Sequence, residues 1–231
     1  LTYYQTITFR VNPVLETKLL FALIIFVVTL LSGAYPLIKR ARLHQPFQSA
    51  ACEALACGIF LGASLLHMLG DAQNALNQQS VQYPLAMLIC GATFLFFLLL
   101  EHIGSELYAH RSVHAFVWVS IVMLSLHSFF AGVALGVTLS MTVAYVLMLA
   151  ILAHKWAASF ALACQISQSG LSTRWCFLGF VLFSLMAPVG VISAAVATPY
   201  LTQNPLLEPC ANAIAAGTFL YLGTLHGLDK A

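Results

Sequence analysis

Seven apolar stretches of about twenty residues each follow one another along this chain, and that length is what a helix needs to cross the hydrocarbon core of a bilayer. They cover residues 17–38, 50–70, 84–105, 115–139, 142–166, 175–198 and 208–228. Inside lipid a helix satisfies its own backbone donors and acceptors, so each stretch is read as a spanning helix. Only 7% of the 231 residues are charged, where a soluble domain carries roughly a quarter. The deficit is too large for a soluble protein with one buried helix. The expected fold is an all-α polytopic membrane protein. With no linker, low-complexity block or repeat in sight, residues 1–231 are read as a single transmembrane domain.

The basic residues are unevenly placed. Lys39, Arg40 and Arg42 follow the first span, Arg111 the third, Arg174 the fifth and Lys230 the seventh. Cytoplasmic loops carry the excess of Lys and Arg, which sets the N-terminus outside and the odd-numbered exits in the cytoplasm. The chain begins at Leu1 and shows no secretory signal peptide. No basic cluster interleaved with aromatics points to nucleic acid. The six cysteines lie scattered in or beside apolar runs without a close pair, so they read as small packing residues rather than a disulfide framework.

Two histidines stand deep inside neighbouring spans. His127 lies thirteen residues before Ser140 and His154 thirteen after Met141, so helices turning there carry both to nearly equal depth. Ionisable groups at mid-membrane are costly and mark functional sites by default, and neutral imidazole is a common metal ligand. A lone histidine there reads more simply as a cross-helix hydrogen-bond partner. Two at one depth favour a site for a divalent ion, with Ser128 as a weak oxygen ligand and water completing the shell. Small residues beside them, Ala131, Gly132 and Ala158, leave room for it. Lys155 follows His154 with no acid at its depth, leaving carbonyls, His127 or water as partners.

Near the outer end of the second span, His67 and Asp71 are one helical turn apart and could take up an ion transiently. Near the inner end of the third lie Glu101, His102 and Glu106, with His110 and His114 beyond and His226 at the inner end of the seventh. These form either an exit relay or a polar face. The patterns 58-GIFLG-62 and 132-GVALG-136 place small residues four apart, as close helix contacts in lipid require. Pro188 removes a helical donor from the sixth span, and reads as a kink. Residues 71–84 and 199–209 read as outer loops.

At 127-HSFFAGVALG-136 and 154-HKWAASFAL-162 the chain resembles the ZIP (Zrt/Irt-like) family of divalent metal transporters. Supporting stretches are 29-TLLSGAYPL-37, 58-GIFLGASLLHMLGD-71, 98-LLLEH-102 and 217-GTFLYLGTLHGL-228. The resemblance implies an eight-helix bundle with both termini outside, an eighth helix after Ala231, and a moving helix group that carries the site past a static one. It places His127, Ser128 and His154 at the central metal site and His67 and Asp71 on the outer pathway. It puts Lys155 where a second metal ligand stands in two-metal members, as in the branch with His-Lys in the fifth helix. Ala131, Ala158 and Ala187 stand where such members carry acids, and His226 replaces a common glutamate. The implied site is poor in carboxylates, which favours zinc over harder ions such as manganese.

The function expected is transport of a divalent metal ion into the cytoplasm, zinc first, with cadmium or iron as alternatives. No cofactor or enzymatic activity is expected. The setting is the plasma membrane or a bacterial inner membrane, with lipid as surroundings and a homodimer as an open option. Two other readings stay open. One is a seven-span zinc-dependent membrane hydrolase built on Ser64, His67 and Asp71, with His226 as a further ligand. The other is a non-transporting metal sensor.

Overall fold

The computed structural model of the chain describes residues 13–38, 54–55, 57–81, 83–107, 112–201 and 205–226. Among these, every regular element is helical. α1 is Pro13–Ile38, α3 Leu85–Leu107, α4 Ser112–Val137, α5 Met141–Gln168 and α6 Thr173–Leu201. α2 covers 57–78 and contains a wide π turn at Ala63–Met68. α7 begins as Leu207–Tyr221 and continues as a second π turn, Leu222–His226. Among the described residues, five segments are long and apolar enough to cross a membrane: Val14–Ile38, Leu85–Ile103, Val117–Val137, Met141–Gln168 and Thr173–Ala197. The chain is a polytopic helical membrane protein.

Packing sorts the helices into two groups. α1, α4, α5 and α6 pack on one another, while α2 and α3 pack on α7. The two groups meet chiefly where α4 lies against α7. α4 and α6 touch backbone to backbone because glycines on each helix face the backbone of the other. A Cβ on Gly136 would stand 2.5 Å from the Val191 carbonyl oxygen, and one on Gly190 would collide with the Phe129 carbonyl. Small residues at the contact are what close crossings in lipid require. Gly217 does the same for α7, where a Cβ would sit 2.5 Å from the Cys90 carbonyl of α3.

Two expectations change, at Gly58 and Gly62 and in the segment after position 70. Gly58 and Gly62 have nothing within 4 Å of where a Cβ would stand, so among the described residues that pair makes no close helix contact. Pro188 lies inside α6, which runs on either side of it, as a kinked rather than broken helix would. The outer segment after position 70 is not all loop, because Leu69–Gln78 extends α2. Ala72 and Leu76 form its buried stripe, closing a small core with Ala86 and Ala213. α5 starts where the turn was expected, with Ser140 as its N-cap. Yet α4 packs mainly on α6 and α7, and α5 mainly on α1. The basic residues Lys39, Arg40, Arg42, Arg111 and Lys230 lie outside the described residues.

Candidate metal centre

His127 on α4 and His154 on α5 are 2% and 4% exposed. Their ring centroids lie 5.7 Å apart, at an interplanar angle of 71°. A shared zinc ion with Zn–N near 2.1 Å stands about 3.2 Å from each ring centre, so a tetrahedral angle puts two centres about 5 Å apart. The observed centroid spacing is close to that figure. His127 Nδ1 lies 3.1 Å from the Ala215 carbonyl oxygen and 2.7 Å from Thr218 Oγ1. Nε2 of each histidine is buried and has no hydrogen-bond partner. A buried unpaired ring nitrogen is expensive without a ligand. Two such atoms on neighbouring rings are of the kind that can donate to a soft or borderline cation.

Phe219 of α7 closes the other side. Its ring stacks on His127 at 3.5 Å and stands edge-on to His154 at 4.8 Å. Ser128 is buried beside His127, but its Oγ accepts from Lys155 Nζ at 2.6 Å. The Lys155 ammonium also lies 4.1 Å from the centre of the Phe183 ring. The partners of this lysine are therefore a hydroxyl and an aromatic face. Ala131, Ala158 and Ala187 are all buried and supply no carboxylate. Among the described residues, no group of three or more His, Cys, Asp or Glu could hold a metal ion together.

Outside this pair, His67 Nδ1 and Asp71 Oδ2 are 2.7 Å apart across the end of the π turn in α2. Asp71 borders a cleft of about 600 Å³ together with Glu208 and Asn212 of α7. A second, narrow gap of about 10 Å³ is lined by His67, Asp71, Asn212 and His154; it shares Asp71 and Asn212 with the cleft and reaches His154. That is about the room one water molecule takes. A metal ion with its full hydration shell does not fit. Sequence reading passed over Glu208 and Asn212, although their i, i+4 spacing at the head of an apolar run was a visible signal. Lys18 sits near Glu208, and donates to the Gly136 carbonyl at 2.5 Å.

On the inner side, Glu101 accepts from the Tyr221 hydroxyl, a contact that ties α3 to α7. His102 is exposed. The side chains of Glu106, His114 and His226, and the whole of His110, lie outside the described residues. The Ser64 hydroxyl is fully buried and donates to the Ala216 carbonyl at 2.8 Å, so it is committed to helix packing rather than to the His67–Asp71 pair.

The profile of the family described as ZIP Zinc transporter matches residues 15–115 and 109–228. The chain belongs to that family. Human zinc transporter ZIP2 is 26% identical over 247 residues, covering 84% of this chain and 80% of the relative. Human zinc transporter ZIP1 is 27% identical over 268 residues, with 94% and 83% covered. Zinc transporter ZIP1 of Takifugu rubripes reaches 33% over 127 residues, covering 54% of this chain and 41% of the relative. As a member of the ZIP zinc transporter family, this chain is a membrane carrier of divalent metal rather than a member of an enzyme family.

Proposed function

We propose that the protein moves zinc into the cytoplasm through a central site where His127 and His154 share one ion. The observation that carries this reading is the pair of buried, unpartnered Nε2 atoms on adjacent rings. His67 and Asp71 take up the ion at the outer mouth, where the cleft also presents Glu208 and Asn212. The ion sheds most of its water to pass the narrow gap, and the two imidazoles replace part of that shell. Ser128 stays close enough to contribute a weak oxygen contact while holding Lys155. With no carboxylate at Ala131, Ala158 or Ala187, the site prefers zinc and cadmium to manganese. Iron is a weaker candidate. The whole chain works as one transmembrane domain in a plasma or bacterial inner membrane, with its N-terminus outside.

Zinc uptake into proteoliposomes holding the purified protein tests this. The wild type should carry zinc, and His127→Ala or His154→Ala should each lower uptake at least tenfold, a loss of about 1.4 kcal/mol or more. Unchanged uptake in both variants, with protein incorporated equally, would rule the site out. Binding without any flux would favour a metal sensor.

A further inference from the structure

The atoms around His127 decide which of its nitrogens is free. The Ala215 carbonyl can only accept, so Nδ1, 3.1 Å away, must carry the proton. Thr218 Oγ1 directs its own hydrogen to the same carbonyl at 2.6 Å. Toward His127, at 2.7 Å, that hydroxyl can therefore only accept. Both contacts require Nδ1–H, and a neutral imidazole carries a single N–H. Nε2 is left as a bare lone pair, and it is the buried atom without a partner. Thr218 is 1% exposed, so bulk solvent does not compete for the bond. Its neighbour Phe219 stacks on the same ring, which fixes the plane as Thr218 fixes the edge.

We infer that Thr218 of α7 is a positioning residue for metal binding: its hydroxyl, with the Ala215 carbonyl, locks His127 in the tautomer that presents Nε2 to the ion. A ligating imidazole whose other N–H is held by an acceptor is better oriented and more basic, and loss of such a partner typically costs tenfold or more in metal affinity. This rests on the reading of His127 as a ligand. It adds a residue from the opposite helix group, 91 positions further along the chain.

Cadmium binding to the purified protein in detergent, followed by calorimetry, tests the assignment without transport. Thr218→Val keeps the shape and removes the acceptor, and is expected to raise the Kd about tenfold. Thr218→Ser restores the oxygen and should bring the Kd within about twofold of wild type. His127→Ala should abolish binding at this site. If His127→Ala binds normally, the ligand reading itself has failed. If His127→Ala loses binding while Thr218→Val matches wild type, or if Ser and Val are equally impaired, the positioning role is overturned and the ligand reading stands. Thermal unfolding of each variant in the same detergent separates loss of binding from loss of fold: a Val variant that melts well below wild type and binds weakly only for that reason overturns the role as well.

Discussion

Lys155 poses the sharpest question at the scale of single residues, because an ammonium is buried next to His154, one of the two proposed metal ligands. Its hydrogen bond to Ser128 and its place over the Phe183 ring satisfy part of the charge, and among the described residues no ion pair with an acid neutralises it. Two unit charges about 4 Å apart repel by about 4 kcal/mol at an effective dielectric of 20. A second divalent ion beside a charged Lys155 is therefore disfavoured, and the proposed centre would hold one. Lys155→Ala should retain at least a third of zinc uptake while shifting the ratio of cadmium to zinc transport by more than about threefold. Competition uptake with the two metals measures this. Loss of all transport would instead make Lys155 essential to the site. The histidines were legible in the sequence because their depth follows from counting residues back from the turn at Ser140. Thr218 and Phe219 were not. Which face of α7 meets α4 depends on close packing at Gly217 and along the helix crossing, and no local pattern encodes it.

Among the elements, α2 carries the outer half of the account. Its π turn sets His67, and the helix beyond it sets Asp71, so the pair lines up across a change of helical register. π turns of this kind often mark functional sites. The spacing of His67 and Asp71 was readable, but the helix that carries Asp71 was hidden. Residues 71–80 are rich in Gln and Asn, and their few apolar positions form a narrow stripe that reads as loop until Ala213 is seen to cover it. Asp71 is half exposed, so its charge is worth about 1 kcal/mol or less to a passing cation. Asp71→Asn should raise the KM for zinc about three- to fivefold and leave maximal flux nearly unchanged. Its uptake should also depend less on ionic strength, since screening acts on the charge removed. Zinc uptake measured at low and high salt decides it, and an unchanged KM at both would remove Asp71 from the path.

Across the whole molecule, the proposed path runs along the seam between the two helix groups. His127, His154 and Lys155 belong to the group of α1, α4, α5 and α6. His67, Asp71, Glu208, Asn212, Thr218 and Phe219 belong to the group of α2, α3 and α7. Movement of one group against the other would carry the histidines away from the outer cleft. It would also strip Thr218 from His127, weakening the ligand as the site opens inward. The helical, membrane-spanning character of the chain was plain in the sequence, since long apolar runs admit little else. The division into groups was not, because neighbours in sequence such as α4 and α5 are not the principal neighbours in space. The claim on which this rests is a single ion shared by His127 and His154. Anomalous diffraction from a cadmium-loaded crystal tests it most directly. One strong peak is expected between the rings, about 2.3 Å from Nε2 of each, slightly beyond the zinc distance. A peak bonded to only one histidine, no peak there, or two peaks within ~4 Å of each other, the spacing of a two-metal site, would contradict it.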